Sequence, residues 1–441
     1  MIFSDEILNS IEDIIKDYKV YLVGGYLRNY FINNKISSDR DLVCINNAKN
    51  LAMDIADKLE GVFIELDSEN EIYRVVLKDK INYFDIAHAL DNDILKDAKR
   101  RDFTINSIFY DLNKKEIFDP LDGISDIKNK IIKTSDLQNM LDDALRFLRI
   151  YRFQSQTGFE IDKKLADFSK ENFKLIKNVA PERINYEIIK IFEGEYLIKT
   201  LLRMLDDNVA ELVFPFVADV KRVPCNSHHH LDLIHHLIET TRLIETTNPL
   251  LKLAAFYHDI GKPSTWTIEP DGRHRFIGHD IKGAEIAKKE LEKLKFSTKQ
   301  IQYITKMIKY HIYPSSLMNC EDNKKAYARF VKKMGKDALD VIKLAKADRL
   351  SARGEKVTDK MVENNLSHLE KLKNYYLEVE SMAQNPKALL DGREVMEILN
   401  LKPSKKVGEI LENLKIAQLS GEILTKEEAI NYIKTKAVKT A

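Results

Sequence analysis

Two aspartates, Asp39 and Asp41, are separated by a single residue at the start of an apolar run that continues to residue 45. In a β-strand the side chains of residues i and i+2 share one face, so both carboxylates can reach the same cations. Magnesium favours carboxylate oxygens combined with substrate phosphates, and two such ions can activate an attacking hydroxyl group and neutralise a leaving pyrophosphate. The spacing therefore indicates metal-dependent nucleotidyl transfer, with a solvated strand end as the alternative.

Two glycines, Gly24 and Gly25, separate a predicted strand at 21–23 from a predicted helix at 26–31 that contains Arg28. Backbone N–H groups at such a turn and at the start of a helix can face a triphosphate. A Gly-Gly pair by itself is more often only a tight turn. Next to the aspartate pair it favours a nucleotide-binding turn.

A third carboxylate, Asp85, lies in another predicted strand at 81–87, and a further strand is predicted at 73–77. Strands alternating with helical segments predict an α/β head with a small sheet over residues 1–120. Three carboxylates on the strands of one sheet favour a shared site over the alternative, in which each aspartate is only a solvated strand end.

The stretch 100–107 reads RRDFTINS and supplies further polar side chains. Arg101 can offer a fork of hydrogen-bond donors to a phosphate, whereas Asp102 and Asn106 can hold a sugar or fix a loop. A purely structural Arg–Asp pair is the alternative interpretation.

A predicted helix over 141–153 places Asp143, Arg146 and Arg149 at successive i, i+3 positions, and Arg152 continues the row. A carboxylate beside a guanidinium can accept a hydrogen bond from one atom of a base edge and donate one to the next. Such a pair distinguishes bases by their pattern of donors and acceptors. Without the preceding motifs, the row would be a surface ladder of ion pairs.

A second concentration of metal-binding side chains lies between residues 228 and 348. The candidate ligands are His236, His258, Asp259 and Asp348, with His279 and His311 as further ligands or substrate contacts. Imidazole nitrogens and carboxylate oxygens can together surround one divalent ion. No role is given to His228, His229, His230 and His274, and the choice of His236 over the neighbouring His235 rests on the family resemblance given below.

The composition is that of an ordinary globular chain. Its 441 residues, 44% of them apolar and 32% charged, are enough for about three domains. The 70 basic and 69 acidic residues give a net charge of +1, so RNA binding needs a local basic surface. The three cysteines form no CxxC pair, and neither a secretion signal nor a membrane-spanning stretch is found. We therefore expect a cytoplasmic protein without membrane contact.

These motifs resemble known families. The glycine pair and the three carboxylates resemble the head of the DNA polymerase beta superfamily of nucleotidyltransferases, and RRDFTINS is similar to the signature of class II tRNA nucleotidyltransferases and bacterial poly(A) polymerases. The HDIGK string at 258–262 resembles the HD phosphohydrolase superfamily. A head of the first kind followed by an HD domain is similar to bacterial tRNA nucleotidyltransferases with a C-terminal HD domain, and this likeness extends over nearly the whole chain.

The resemblance implies an α+β fold, with a small nucleotidyltransferase sheet-and-helix head, DNA polymerase beta-like, followed by a mostly α-helical body that contains an all-helical HD domain. Residues 1–136 would form the head, or catalytic palm, and 137–220 a helical neck that recognises the base and binds RNA. Residues 221–370 would form the HD phosphohydrolase domain, and 371–441 a helical tail in possible contact with tRNA.

The implied activity is template-independent addition of CMP and AMP, from CTP and ATP, to tRNA 3′ ends to build or repair the CCA terminus. Asp39 and Asp41 would hold Mg²⁺, Asp85 would assist them, and Asp143 with Arg146 would select the base. The other nucleotide-binding positions would be Gly24, Gly25, Arg28, Arg101, Asp102, Asn106, Arg149 and Arg152. The HD ligands would bind a divalent transition metal such as Ni²⁺, Mn²⁺ or Co²⁺.

The sequence departs from the family pattern at three places. Asn29 and Asp142 replace an aspartate and a glutamate of its motifs, and only fifteen residues, 86–100, separate Asp85 from Arg101. In CCA-adding members a long flexible loop lies here, and it is linked to the switch from CTP to ATP. Much of the shorter segment is expected to be strand and helix. The alternatives are therefore an enzyme that adds only the two cytidines, a poly(A) polymerase, or an HD phosphatase or 2′,3′-cyclic phosphodiesterase with an RNA-binding head.

Overall fold

The computed structural model describes residues 5–223, 231–320, 323–382, 388–419 and 421–437. The chain divides into two compact units, 1–213 and 214–441. The finer division into four domains stays a prediction. The histidines at 228–230 lie outside the described residues. In the described part of the chain, no helix has the length and apolar character needed to cross a membrane.

The first unit is built around a seven-stranded sheet with the strand order β3-β4-β5-β2-β1-β6-β7. Its strands are β1 (Val20–Val23), β2 (Asp39–Cys44), β3 (Val62–Asp67), β4 (Ile72–Val76), β5 (Tyr83–His88), β6 (Phe109–Asp111) and β7 (Glu116–Phe118). Neighbouring strands are antiparallel except β2 and β5, which run parallel and place Asp41 beside Asp85. The predicted strands are confirmed, but the sheet is larger than expected, because β3, β6 and β7 lack a clear apolar alternation.

Helices surround this sheet and continue beyond it. They are α1 (Glu6–Asn9), α2 (Gly25–Asn33), α3 (Ala48–Leu59), α4 (Ile94–Arg100), α5 (Gly123–Lys128), α6 (Gln138–Asp142), α7 (Leu145–Thr157), α8 (Lys163–Asn172), α9 (Pro181–Glu193), α10 (Leu197–Asp206) and α11 (Ala210–Val213). Two short strands, β8 (Ile131–Ile132) and β9 (Glu160–Ile161), pair in parallel. The inner strand β1, which leads into the glycine turn, is entirely buried.

The single helix predicted over 141–153 is wrong at one point. Asp142 ends α6, and Asp143 has an extended backbone with φ −143° and ψ 101°. Its Oδ1 accepts a hydrogen bond from the N–H of Leu145, 3.1 Å away, at the start of α7. A short aspartate side chain competes well for such free N–H groups at a helix start. Asp143 therefore precedes the row of arginines on α7 instead of lying within it.

The second unit is helical apart from one hairpin. Its helices are α12 (Val217–Val220), α13 (Leu233–Leu243), α14 (Pro249–Tyr257), α15 (Lys262–Thr265), α16 (His279–Lys293), α17 (Thr298–Tyr310), α18 (Tyr313–Ser316), α19 (Asn323–Met334), α20 (Ala338–Ser351), α21 (Asp359–Met382), α22 (Gly392–Leu399), α23 (Lys405–Leu419) and α24 (Lys426–Ala437). The hairpin consists of β10 (Thr267–Ile268) and β11 (His274–Arg275), which pair antiparallel. The last three helices pack around an apolar core of their own.

Candidate functional site

Asp39, Asp41 and Asp85 form one cluster, in which a carboxylate oxygen of each lies within 4.8 Å of the others. Burial and the charge of Asp39 raise the pKa of Asp41 to about 7, and burial together with Asp85 raises the pKa of Asp39. Asp39 Oδ1 is buried without a hydrogen-bond partner. Carboxylates that repel one another, with one oxygen unsatisfied, fit a divalent cation, which would supply the missing positive charge.

The glycine turn packs directly against this cluster. Gly24 has φ +76°, and a Cβ atom there would lie 2.5 Å from Asp41 Oδ2. The N–H of Gly25, the first residue of α2, donates a hydrogen bond to Asp41. Only glycine combines this backbone conformation with so close an approach. The turn thus orients a carboxylate of the cluster, and its contact with a triphosphate stays a prediction.

Two further side chains, both on strands of the sheet, contact the cluster. Arg74 on β4 lies beside Asp85 in the antiparallel register, and its Nε donates to Asp85 Oδ1 at 2.6 Å. Tyr83 precedes Asp85 by two residues on β5 and shares a hydrogen bond with Asp39. Each of the three carboxylates therefore has a close partner within the protein.

Arg101 lies at the end of α4 and is held by Asp97, a fully buried residue of that helix. The distance from Arg101 Nη2 to Asp97 Oδ2 is 3.0 Å, and Arg100 also pairs with Asp97. The charge of Arg101 acts to lower the pKa of Asp41, so the guanidinium is near the carboxylate cluster. A guanidinium fixed in this way is suited to bind phosphate oxygens.

Behind this region lies a buried network that joins α2, the RRDFT segment and α7. Asp102 accepts hydrogen bonds from Arg149 Nε at 2.8 Å and from Asn106 Nδ2 at 2.9 Å, and Asn106 Oδ1 accepts one from Arg28 Nη1 at 2.7 Å. Burial acts to raise the pKa of Asp102, but Arg149 and Asn106 outweigh it and lower the pKa to about 2. The structure brings these four predicted residues together, and their contact with a nucleotide stays a prediction.

Arg152, the last arginine of the row, is paired within the protein. Its Nη1 lies 2.9 Å from an oxygen of Glu187 on α9, a residue with only 1% of its surface exposed. Arg149 Nη1 lies 3.9 Å from the same carboxylate oxygen. A buried ion pair of this kind fixes α7 against α9, so Arg152 has a structural partner in addition to its predicted role.

Asp143 and Arg146 are each held by another group of the protein. Arg183 Nη2, near the start of α9, lies 2.7 Å from Asp143 Oδ2. Arg146 Nη1 donates to the main-chain oxygen of Asn139 at 2.9 Å. The side-chain amide of Asn139 in turn donates to the main-chain oxygen of Arg101, also at 2.9 Å. The candidate base-selecting groups are thereby tied to the segment that carries the candidate phosphate-binding arginine.

In the second unit, four predicted ligands form another cluster. They are His236, His258, Asp259 and Asp348, with ligand atoms within 4.8 Å of one another. His236 Nε2 lies 3.2 Å from Asp348 Oδ1, and His258 Nε2 lies 3.3 Å from Asp259 Oδ2. The neighbouring His235 is exposed and pairs with Asp232 instead.

Asp259 also belongs to a second group, with His279 and His311. Its Oδ1 lies 3.1 Å from His279 Nε2 and 3.5 Å from His311 Nε2. The two oxygens of one buried carboxylate therefore face different sets of imidazoles. His236, His258, Asp259 and Asp348, together with His279 and His311, would hold divalent metal through imidazole nitrogens and carboxylate oxygens.

The orientation of the imidazole rings is fixed by their other nitrogens. The Nδ1 atoms of His258, His279 and His311 each lie 2.7 or 2.8 Å from a main-chain carbonyl oxygen three residues earlier. A carbonyl can only accept, so Nδ1 carries a hydrogen in each ring, and Nε2 is the nitrogen that faces the cluster and would bind a metal. His236 Nδ1 contacts the hydroxyl group of Ser351 at 3.1 Å.

The carboxylates of this second cluster attract positive groups of the protein. Burial acts to lower the pKa of His258, but Asp259 and Asp348 outweigh it and raise the pKa to about 10. Lys262 Nζ lies 2.5 Å from Asp259 Oδ2. His258 and Lys262 thus balance the negative charge of the two carboxylates.

Comparison with known proteins covers most of the chain. Residues 20–133 match the family model described as "Poly A polymerase head domain", 158–221 match "Probable RNA and SrmB- binding site of polymerase A", and 233–353 match "HD domain". An "A-adding tRNA nucleotidyltransferase" from Deinococcus radiodurans is 28% identical, with 95% of this chain and 96% of the relative covered. A "CC-adding tRNA nucleotidyltransferase" from Synechocystis is 26% identical, with 93% and 92% covered. These matches support a CCA-adding tRNA nucleotidyltransferase with a poly(A) polymerase head domain and an HD domain.

A solved structure matches the fold of this chain over almost its whole length. The CCA-adding enzyme of Bacillus stearothermophilus in complex with CTP matches with a TM-score of 0.64 and 18% identity, covering 99% of this chain and 97% of that one. At this identity the match shows a shared fold.

Sequence reasoning missed five residues of this nucleotidyltransferase head that contact the candidate site. They are Arg74, Tyr83, Asp97, Asn139 and Arg183. Asp97 was detectable, because it lies three and four residues before the two arginines on one helix. Tyr83 was detectable from strand alternation, since it shares a face with Asp85. The partners of Arg74, Asn139 and Arg183 depend on tertiary contacts, for which the sequence carries no local signal.

Proposed function

We propose that this chain is a template-independent tRNA nucleotidyltransferase, which transfers CMP and AMP from CTP and ATP to the tRNA 3′ end and releases pyrophosphate. The observation that carries the proposal is the carboxylate cluster of the head together with the arginine that stands beside it. It is supported by curated relatives of almost the same length, which are named for adding C, A or both to tRNA. We place the enzyme in the cytoplasm, where both kinds of substrate are found.

In this proposal the carboxylate cluster and Arg101 perform the chemistry. Mg²⁺ bound by Asp39 and Asp41, with Asp85 assisting, would favour the ionised 3′-hydroxyl group and neutralise the leaving pyrophosphate. Arg101, fixed by Asp97, would bind the triphosphate with its donor fork. Gly24 keeps Asp41 against the turn, so its carboxylate is oriented before substrate arrives.

Asp143 and Arg146 would select the base. Cytosine and adenine both present an exocyclic amine, which donates, next to a ring nitrogen, which accepts. A carboxylate paired with the amine and a guanidinium paired with the ring nitrogen satisfy this pattern, whereas uracil and guanine present the reverse order. A mismatched base would leave buried polar groups unpaired, which costs about 1–3 kcal/mol for each group.

A narrower specificity, for the two cytidines or for the terminal adenosine alone, is a second candidate. It is favoured by the segment between Asp85 and Arg101, where β5, a 3₁₀ turn over Leu90–Asn92 and helix α4 follow one another. The expectation of strand and helix in place of a long flexible loop is thus confirmed. A rigid segment leaves little freedom for a switch between two nucleotides within one active site.

One experiment tests both candidates. The purified protein is incubated with Mg²⁺ and labelled CTP, ATP or both, on tRNA that lacks CCA and on tRNA that ends in CC. Products are resolved at single-nucleotide length. A complete CCA end supports the first candidate, whereas products that stop after CC, or a single A added only to CC ends, support the second. Long A tails would identify a poly(A) polymerase, and the absence of any incorporation would contradict both candidates.

For the second unit we propose a metal-dependent phosphohydrolase activity, on phosphomonoesters or 2′,3′-cyclic phosphates. The supporting observation is the pair of ligand groups that share Asp259. Divalent transition metals such as Ni²⁺, Mn²⁺ or Co²⁺ suit the mixed imidazole and carboxylate donors and would polarise the phosphate and activate water. The test is hydrolysis of a 2′,3′-cyclic nucleotide and of a generic phosphomonoester with each metal. Hydrolysis that survives chelation of all metals would contradict the proposal.

A further inference from the structure

Asp85 is engaged at both of its carboxylate oxygens by one arginine. Arg74 Nε donates to Oδ1 at 2.6 Å, and Arg74 Nη2 donates to Oδ2 at 2.7 Å. The two residues are direct neighbours in the register of β4 and β5, so the sheet itself places them side by side. A bidentate pair of this kind is the strongest form of ion pair between these side chains.

The position of Arg74 is fixed from a second side by Tyr83. The guanidinium carbon lies 4.5 Å from the centre of the Tyr83 ring, within the range of a cation–π contact. The hydroxyl group of Tyr83 shares a hydrogen bond with Asp39. Arg74 and Tyr83 therefore form one unit that contacts two of the three carboxylates of the cluster.

A guanidinium that donates to both oxygens of a carboxylate occupies lone pairs that a divalent cation would use, and its positive charge repels that cation. With Arg74 in place, Asp85 is therefore a weaker ligand for a cation than an unpaired carboxylate would be. We propose that Arg74 is an internal counter-ion of Asp85 that competes with divalent cations for the head cluster. The inference rests on the metal-binding role proposed above for this cluster.

The proposal makes cation binding depend on the nucleotide. A free Mg²⁺ ion must compete with the charge and the hydrogen bonds of Arg74 for Asp85. A nucleoside triphosphate brings further oxygen ligands, and these offset the loss of the ion pair. Arg74 is thus a positioning residue, which keeps the empty head from holding its metal tightly.

The test measures Mn²⁺ binding directly, by electron paramagnetic resonance of the free ion, to the full-length protein without nucleotide. Four proteins are compared: the unchanged chain, Arg74→Gln, Asp41→Asn and the double variant. The HD ligands are present in all four, so the binding that Asp41→Asn removes belongs to the head. Loss of a competing ion pair on a partly exposed surface is expected to tighten Mn²⁺ binding to the head about fivefold in Arg74→Gln. Unchanged or weaker binding would overturn the proposal.

Lys78→Gln is the matched control. Lys78 follows β4, is 68% exposed and pairs with Glu60, so this variant removes one positive charge from the same region without touching the cluster. No change in Mn²⁺ binding is expected. An equal gain in this control would overturn the proposal, because it would show an effect of net charge alone.

Two further measurements keep the outcome interpretable. If Arg74→Gln does not fold, judged by circular dichroism, Arg74→Lys carries the test, since an ammonium group cannot reproduce the bidentate contact. A gain of at least about twofold is then expected, and no gain overturns the proposal. Transfer of CMP by the unchanged protein is assayed separately. Its absence, alongside tighter Mn²⁺ binding in Arg74→Gln, would contradict the proposed function and leave the counter-ion role intact.

Discussion

The two candidate metal clusters hold their carboxylates in opposite ways. In the head, Asp39, Asp41 and Asp85 extend from strands of one sheet and are balanced by arginines. In the second unit, buried imidazoles surround Asp259, and most of the rings are anchored by their own backbone. The ligand rings of the second cluster are thus held in place more firmly than the strand-borne carboxylates of the head.

Ligand chemistry follows the same division. Oxygen ligands alone suit magnesium, which dehydrates reluctantly and shares its coordination with phosphates. Nitrogen and oxygen ligands together suit transition metals, which bind imidazole more tightly. The comparison predicts that changes in one cluster leave the other intact, and the following experiments test this independence.

The largest effect is expected from Asp41→Asn. This variant removes one charge at the centre of the head cluster while it preserves the shape of the side chain. CMP incorporation into tRNA is expected to fall by at least about a thousandfold, because the cation loses a ligand. Hydrolysis of a 2′,3′-cyclic nucleotide, measured on the same preparation, is the control and should be unchanged. Full incorporation would refute the assignment of this carboxylate.

The reciprocal variant is His258→Gln in the second cluster. We expect loss of about a hundredfold or more in phosphohydrolase activity and in transition-metal content, measured by elemental analysis. Nucleotide incorporation by the head should not change. A parallel loss of both activities, in a protein that is still folded, would break the division between the two clusters.

A smaller effect is expected at Asp97, which contacts no substrate in our proposal and positions Arg101. Asp97→Asn is expected to raise the KM for CTP about tenfold with a smaller change in kcat, because the phosphate-binding fork loses its fixed orientation. Asp91→Asn, which removes an exposed partner of Lys96 close by, serves as the matched control. If both variants behave alike, Arg101 does not depend on Asp97.

The smallest effect concerns Glu290, a buried carboxyl group of the second unit that contrasts with Asp102 in the head. Burial raises the pKa of Glu290 to about 7, although Tyr257 donates a hydrogen bond to it. The folded state thus favours the protonated form, and this stabilisation is lost as the pH rises through 7. Glu290→Gln is therefore expected to increase the free energy of unfolding at pH 8 by about 1–2 kcal/mol, with little change at pH 4.

Urea unfolding at fixed metal concentration measures this effect. The same scan can include Asp102, whose pKa of about 2 makes its contribution fully present above pH 4 and lost only in stronger acid. If the free energies of unfolding contributed by Glu290 and Asp102 change with pH in opposite directions, the two units differ in how they stabilise a buried carboxyl group. An identical pH profile for the unchanged protein and Glu290→Gln would show that this group does not titrate between pH 4 and pH 8.

Local patterns in the sequence were sufficient to find both clusters. Asp39 and Asp41 follow the alternation of a strand, and the HD ligands match a recognisable set of residues. The structure places the side chains of each set close together. The partners of these residues were not predictable in the same way. Arg74 faces Asp85 because of the register between two strands, and Arg183 reaches Asp143 from a helix forty residues later. Register and helix packing arise from the whole core, which no short window of sequence contains.

The break between α6 and α7 is another feature that the local sequence pattern did not predict. Apolar spacing continues through 141–153, and a periodic pattern of this kind predicts one helix. The break arises because the Asp143 side chain caps the following helix and pairs with Arg183, and both contacts are decided by the surrounding structure.

The parallel pairing of β2 with β5 has a consequence for how the protein is made. Asp39 lies beside Tyr83, 44 residues further along the chain, and the intervening segment forms a helix and two strands. Contacts of such sequence separation form slowly, because a long loop must close before they gain any stability. During synthesis Asp85 therefore stays apart from Asp39 and Asp41 until β5 has left the ribosome, and the cluster of three carboxylates forms only when five of the seven strands are available.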